Sequence, residues 1–316
     1  MTRTALVTGC AGFIGSLLSR NLLDRGFKVV GVDSLIYKNG YALNGLLGPN
    51  FEFYRLDIRD PQVYVFAQRA DYIYHTAARV GAPICSKDEK LAIEVNQTAT
   101  QNLVKSLRNQ RLVFLTTNSG YGVSEGYCTE SSPMNPLSCY GVSKVEAEKA
   151  VLDYKNGVSL RLATVFGTSI RPRMDLMVQN FVSELFFFKK LSIFESHFRR
   201  NFVGINDVVR ACVWMMDDQY SGPYNCGNDS LNMTKLQLAK TIASELEVDP
   251  AGITEGVGKD PDGRNYLISN QKLLNTRFEF KQDLRSGVRD IKNLCKIHGM
   301  KVHTYSNIYQ NPGIND

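Results

Sequence analysis

Residues 4–15, TALVTGCAGFIG, run from a short apolar stretch into three glycines spaced three apart, Gly9, Gly12 and Gly15. An amphipathic stretch from Phe13 to Leu23 follows. That order predicts a strand, a tight turn and a helix. Gly9 permits the turn, Gly12 lets backbone N–H groups approach a pyrophosphate, and Gly15 lets the helix pack close to the strand. The N-terminus of such a helix carries partial positive charge and suits an anion. A lone glycine triplet also fits an ordinary strand-to-helix turn, so the surrounding sequence has to decide.

A second apolar run, Lys28 to Val32, ends in Asp33, eighteen residues after Gly15. An acid at the end of the second strand is placed for the hydroxyl pair of a ribose; a helix cap or turn aspartate is the other reading. A carboxylate there repels a 2′-phosphate, which favours NAD over NADP, and Lys38 tempers that preference.

Strand candidates at 4–8, 28–32, 52–56, 71–75, 111–116 and 158–163 alternate with helix candidates at 13–25, 59–69, 88–109 and 140–156. This alternation predicts an α/β fold with a doubly wound parallel sheet of the Rossmann type. Ligands in such sheets sit at the carboxyl ends of the strands. Residues 166–195 read as loop, helix and short strand, 206–219 as a helix capped by Asn206, 223–228 as a short strand and turn, 234–246 and 284–298 as helices. The tail after Lys301 is polar and is expected to be loose. A Rossmann domain over 1–166, to which 200–228 returns, is expected beside a smaller C-terminal α/β substrate-binding region formed by 167–199 and 229–316.

Net charge is +6 over 316 residues, with basic and acidic residues interspersed. No basic run argues for nucleic acid, and the surplus suits an anionic small substrate. The seven cysteines are scattered without a C-x-x-C pair, as expected of a reduced, cytoplasmic chain. The four histidines include no H-x-x-x-H pair, so no metal site is expected. The chain enters its first strand at once, so no leader is expected, and no apolar run reaches the length of a membrane span. The densest run, residues 185–188, reads as core helix.

The chemistry is expected at Tyr140-Gly-Val-Ser-Lys144. Tyrosine and lysine four apart share one face of a helix. A nearby ammonium stabilises a phenolate and draws the tyrosine towards use as a general base. The same spacing occurs in surface pairs, but here it follows the fifth strand of a dinucleotide fold. Thr117, at the end of that strand, is placed to hydrogen-bond a reacting sugar oxygen; Thr116 is the competing assignment.

Taken together, these motifs resemble the extended short-chain dehydrogenase/reductases of the NAD-dependent nucleotide-sugar epimerase/dehydratase family. Residues 8–15, with Gly9, Gly12, Phe13, Ile14 and Gly15, resemble its glycine-rich turn. Asp57-Ile58 resembles the pair that holds adenine, and His75-Thr-Ala77-Ala78 the loop over the middle of the cofactor. Asn96 resembles the asparagine of the next helix, and Tyr140 with Lys144 the catalytic pair, Thr116 and Lys144 also flanking the cofactor. Arg200-Asn-Phe-Val with Asp207 resembles an element whose arginine contacts the nucleotide diphosphate. Tyr224 to Asn228 resembles the strand beside it, and Asp262-x-Arg264 a late segment whose arginine reaches the substrate phosphates.

The resemblance implies a nucleotide-diphosphate-sugar substrate, NAD as cofactor and a transient keto sugar. Tyr140 would take a proton from a sugar hydroxyl, most simply at carbon 4; Lys144 would hold the nicotinamide ribose; Thr117 would orient the hydroxyl. It also implies a homodimer formed by the helices around 88–109 and 140–156, although Leu103, Val104, Leu107 and Val151 suit an internal core equally. Asn118-Ser119 stand where dehydratases of the family carry Asp-Glu, which disfavours water elimination. The segment 168–181 would face the sugar with Arg173 and Asn180, unless Arg171 and Arg173 are surface charges; Arg79 and Asn118 would line the same pocket. An NAD-dependent epimerase leads. A keto-sugar reductase, an epimerase at another carbon and a catalytically silent dinucleotide-binding subunit are the alternatives.

Overall fold

The computed structural model describes residues 2–258 and 263–307. In chain order the strands are β1 (Thr4–Thr8), β2 (Lys28–Asp33), β3 (Phe51–Arg55), β4 (Tyr72–His75), β5 (Arg111–Thr117), β6 (Val123–Cys128), β7 (Gly157–Leu162), β8 (Thr164–Phe166), β9 (Leu191–Ile193), β10 (Arg199–Gly204), β11 (Gly222–Cys226), β12 (Asn228–Thr234), β13 (Ile253–Glu255) and β14 (Asn265–Ile268). The helices are α1 (Phe13–Asp24), α2 (Gln62–Arg69), α3 (Ala82–Lys87), α4 (Glu89–Ile93), α5 (Ala99–Ser106), α6 (Cys139–Asp153), α7 (Met177–Phe188), α8 (Ile205–Trp214), α9 (Lys235–Leu246), α10 (Gln271–Leu274) and α11 (Leu284–His298).

Seven strands form one parallel sheet in the order β3-β2-β1-β4-β5-β7-β11. The order reverses between β1 and β4, which is where such sheets open a crevice for ligands. Every residue of β5 and β7 is buried, as expected of central strands covered on both faces. On one face, Leu18 and Leu22 of α1 pack with Val208 and Cys212 of α8 over Val7, Val113 and Leu160. On the other, Val63 and Ala67 of α2, Leu103 of α5 and Ala147 and Val151 of α6 cover Leu6, Ile73 and Phe114. A third core joins α7, α9 and α11 through Val182, Leu185, Ile242, Val288 and Ile291.

Three local expectations change. The helix expected over 88–109 is interrupted: Asp88 caps α4 through Leu91 N, and a π-helical turn, Glu94–Thr98, precedes α5. The helix expected to start at a capping Asn206 begins at Ile205, with Gly204 as its cap and no side-chain cap bond. Gln282 fills that role instead, its Oε1 accepting from Asn206 N at 3.0 Å; a Cβ on Gly204 would lie 2.3 Å from that oxygen. The tail expected to be loose is docked as far as Asn307: a 3-10 turn, Gly299–Thr304, follows α11, and Val302 is fully buried in the third core. The β6–β14 pairing has no clear sequence signal, because β6 is mostly exposed and lacks alternation.

Candidate active site

The glycine turn folds as its spacing requires. Gly9 has φ +72°, and its N–H donates to Val32 O at 2.7 Å, tying the turn to β2. A Cβ on Gly15 would lie 2.0 Å from Gly9 O, so only glycine lets α1 start so close to β1. Gly12 caps α1 without any side-chain cap bond, and the first turn holds no acid. The helix N-terminus therefore keeps donors and positive charge for an anion. A Cβ on Gly12 would meet only Gly9 O, at 3.0 Å.

These residues line a cleft of about 490 Å³ at the carboxyl ends of the central strands. Gly9, Gly12, Phe13, Ile14, Gly15, Asp33, Asp57, Ile58, Ala77, Ala78, Arg79, Thr116, Thr117, Tyr140, Lys144, Arg173 and Arg264 all contribute to its wall. The Asp33 carboxylate accepts from Ala11 N at 3.0 Å and Leu35 N at 2.9 Å, so it braces the turn as well as facing the cleft. Burial pushes its carboxyl above the usual range, against those two donors and the Arg171 charge. Asp57 is held below the usual range, chiefly by hydrogen bonding from Arg59, whose Nε lies 2.9 Å away.

The candidate chemical groups stand on rigid elements. Ser138 caps α6, accepting from Gly141 N at 3.2 Å, and so fixes the turn carrying Tyr140. Lys144 follows one turn later, 3% exposed, its Nζ 4.0 Å from the centre of the Phe114 ring. Burial draws the Lys144 ammonium down to about 7, while Glu148 works in the opposite direction. Thr117 Oγ1 lies 2.8 Å from Ser119 Oγ and accepts from Ser119 N at 3.1 Å. Thr116 donates instead to the Lys144 carbonyl at 3.5 Å. Of the two competing threonines, Thr117 thus shares its hydroxyl network with the cleft loop, and Thr116 ties β5 to α6. Arg264 enters from the far side, its Nη1 donating to Ser119 Oγ and, at 3.3 Å, to Tyr266 OH.

Four expected site residues lie outside the cleft wall. Asn96 is buried in the π turn; it accepts from Arg79 N at 2.8 Å and donates to Arg79 O at 3.0 Å and Ser143 Oγ at 3.1 Å. It therefore clamps the 77–79 loop to α6. Asn118 is fully buried, and neither amide atom has a partner among the described residues. Asn180 is half-buried on α7 and donates its backbone N–H to Leu176 O at 2.8 Å. Arg200 is fully buried, 5.9 Å from the Tyr266 ring centre. Asp262 lies outside the described residues. His75 is a buried brace rather than a cleft residue, with Thr8 Oγ1 and Thr100 Oγ1 at 2.7 and 2.9 Å. Burial and the Lys144 charge hold it down at about 3.

Sequence reasoning missed Tyr37, Asn39 and Asn307 in the cleft wall. Asn39 donates to Ala11 O at 2.7 Å and props the glycine turn; the Asn39-Gly40 pair was a turn signal. Arg171 and Arg173 are not surface charges: they are 4% and 7% exposed and line the cleft. Among the described residues no cluster of His, Cys, Asp and Glu is placed to hold a metal ion, and no helix is long and apolar enough to cross a membrane. All seven cysteines are unpaired.

Comparison with known proteins supplies a context for this geometry. Residues 5–227 match the model of the NAD dependent epimerase/dehydratase family. UDP-glucuronic acid decarboxylase 2 of Arabidopsis thaliana is 30% identical over 302 residues, covering 90% of this chain and 66% of its own length. UDP-glucuronic acid decarboxylase 1 of Xenopus tropicalis is 30% identical over 288 residues, covering 85% and 66% respectively. The chain thus spans about two thirds of the length of these curated relatives. The UDP-glucuronic acid 4-epimerase of Bacillus cereus, solved with UDP-glucuronic acid and NAD, superposes with a TM-score of 0.81 at 27% identity, over 93% of this chain and 99% of that one. The UDP-N-acetylglucosamine 4-epimerase of Methanobrevibacter ruminantium shares the fold, with a TM-score of 0.83 at 21% identity over 94% and 99% of the two chains.

Proposed function

This chain belongs to the NAD-dependent epimerase/dehydratase family, and from that premise we propose that it is an NAD-dependent enzyme acting on a nucleotide-diphosphate sugar, and specifically a 4-epimerase. The observation that carries this reading is the convergence of Thr117, Tyr140 and Lys144 on the cleft that holds the glycine turn. The uncapped α1 N-terminus and the space above Gly12 fit a pyrophosphate, Asp33 the adenosine ribose, Asp57 and Ile58 the adenine, and Lys144 the far ribose.

When bound, NAD supplies a hydride acceptor beside the sugar carbon. Tyr140 takes the proton from the carbon-4 hydroxyl as that carbon is oxidised. Lys144, desolvated beneath Phe114, favours the tyrosine anion. Thr117 fixes the hydroxyl through the short network it shares with Ser119 and Arg264. The 4-keto sugar then turns within the cleft; carbon 4 would take back on its other face the hydride that the bound cofactor had accepted, and Tyr140 returns its proton to the carbon-4 oxygen. Elimination of water from the same keto sugar calls for a carboxyl acid and base, and the loop after Thr117 offers Asn118 and Ser119.

A second reading is decarboxylation of a nucleotide uronic acid. It shares the oxidation at carbon 4, which makes the sugar a β-keto acid able to lose carbon dioxide. The curated relatives carry that name, and Arg79 gives the cleft a cationic group for a carboxylate. NMR of the reaction with a panel of UDP-, GDP-, CDP- and dTDP-sugars in deuterated water separates the two. An epimerase inverts one carbon without solvent deuterium there; release of carbon dioxide with deuterium at carbon 5 would refute the epimerase. Tyr140→Phe is expected to abolish turnover while leaving NAD binding largely intact, and full activity in that variant would refute its role.

A further inference from the structure

The cofactor side of the cleft is walled in part by the far end of the chain. Asn307 lines it beside Tyr37, Asn39, Arg171 and Arg173. The segment that brings it there is firmly held. Val302 is fully buried, Tyr305 O accepts from Met174 N at 2.7 Å, and Asn307 N donates to Asp175 Oδ1 at 3.4 Å. The Tyr305 ring lies 6.2 Å from that of Tyr41, on the turn that follows β2, so the segment bridges the substrate-side loop and the dinucleotide side.

Arg171 is the group this segment handles. Its guanidinium donates to Asn307 Oδ1 and stands 5.6 Å from the centre of the Tyr37 ring. Arg173 beside it is matched by Asp175, whereas Asn307 satisfies a guanidinium N–H of Arg171 without cancelling its charge. Its charge acts on Asp33, Tyr37 and Tyr41, all on the cofactor side. The Tyr37 hydroxyl and Arg79 Nε are buried in the same wall with no partner among the described residues. Buried donors beside a buried guanidinium that is held by a neutral amide suit an oxyanion.

We propose that residues 302–307 form a strap that completes the dinucleotide site, and that Asn307 is the positioning residue which holds the Arg171 guanidinium ready for a diphosphate oxygen of the bound dinucleotide. This rests on the reading that the cleft takes NAD, and not on which sugar reaction follows. The neutral amide is the essential choice: a carboxylate in its place would keep the strap docked but neutralise Arg171.

The test is equilibrium binding of NAD, and separately of UDP, to the full chain stripped of nucleotide, with melting temperatures measured alongside. Asn307→Ala should weaken NAD about tenfold, the loss of one charge-assisted contact. Asn307→Asp should weaken it further, with an unchanged melting temperature and a shallower dependence on salt. Arg171→Gln should reproduce the loss, which covers the case of an Asn307 variant that misfolds. Wild-type NAD affinity in Asn307→Asp would overturn the proposal, as would a loss confined to UDP, which would assign Arg171 to the sugar nucleotide. Failure of the unsubstituted chain to bind NAD would instead overturn the reading on which the proposal rests.

Discussion

Replacing Lys144 by methionine should make the nucleotide-free protein more stable while removing its activity. The Lys144 ammonium is 3% exposed and is drawn from 10.5 down to about 7 by burial. Because the folded value lies below the unfolded one, the unfolded chain binds more protons between those limits, and stability climbs with pH across that window. The gap of 3.5 between the two values corresponds to about 5 kcal/mol of destabilisation, fully present below pH 7 and relieved as pH approaches 10.5. Methionine keeps the length and apolar stem of the side chain but gives up the 4.0 Å contact of the ammonium with the Phe114 ring, worth about 2 kcal/mol when desolvated. A net gain of roughly 3 kcal/mol at pH 6 remains. Urea unfolding of the stripped protein and of Lys144→Met at pH 6, 8 and 9.5 measures it, and the difference between the two curves isolates this one group from other titrations. The gain should shrink at each step upward in pH. Equal stability at pH 6, or a difference independent of pH, would show that the ammonium is not desolvated in the resting site and would remove the physical basis for its effect on Tyr140.

Gly12→Ala and Gly15→Ala should separate binding from folding. A Cβ at Gly12 meets one backbone oxygen at 3.0 Å at the N-cap of α1, so the variant should lose about 1 kcal/mol by urea unfolding yet most of its NAD affinity by calorimetry; a Cβ at Gly15 lies 2.0 Å from Gly9 O and should cost about 2–3 kcal/mol by urea unfolding. Glu148→Gln should cost about 3–5 kcal/mol, because it leaves the Arg161 guanidinium, 2.9 Å away and buried beside it, without a counter-charge; restoring the loss with Arg161→Met in the same background would confirm that cause. His75, held at about 3 against 6.5 in the unfolded chain, stays neutral while the unfolded chain takes up a proton, so stability should fall by about 1.4 kcal/mol per pH step below 6.5. His75→Gln should flatten that decline in acid unfolding.

The sheet was legible because its signals are local and repeated. Apolar runs bounded by Gly9, Asp33 and Thr117 mark strand ends that the backbone then brings to one edge. The Tyr140–Lys144 pair was legible for the same reason, since helical spacing alone puts both on one face. What escaped depends on contacts distant in sequence. Arg171 is buried against Tyr37, far back in the chain, and Asn307, 136 residues later. Asn206 lost its cap to Gln282, 76 residues on. Asn96 was legible only as the counterpart of a family asparagine; in the fold it fixes the backbone of Arg79 from inside a π turn that no periodicity announces.

The same division bears on the chemistry. In the proposed reaction, oxidation at carbon 4 draws on Thr117, Tyr140 and Lys144, all carried on the end of β5 and the first turns of α6, where packing against Phe114 and the Ser138 cap leaves little freedom. On the same reading, the fate of the keto sugar turns on groups delivered by separate segments: Ser119 after β5, Arg173 before α7, and Arg264 ahead of β14. A carboxylate placed after Thr117 would stand within reach of Arg264, which now donates to the Ser119 hydroxyl. On the proposed reading, the loop after Thr117 places an amide and a hydroxyl, and no carboxylate, beside the reacting hydroxyl, so it offers no base to pull a proton from carbon 5. Such a site favours return of the hydride over elimination, and Ser119→Glu should therefore erode epimerisation even where NAD binding and the Tyr140 chemistry are untouched; an unaltered rate of inversion in that variant, followed by NMR, would show that the loop after Thr117 does not govern the outcome.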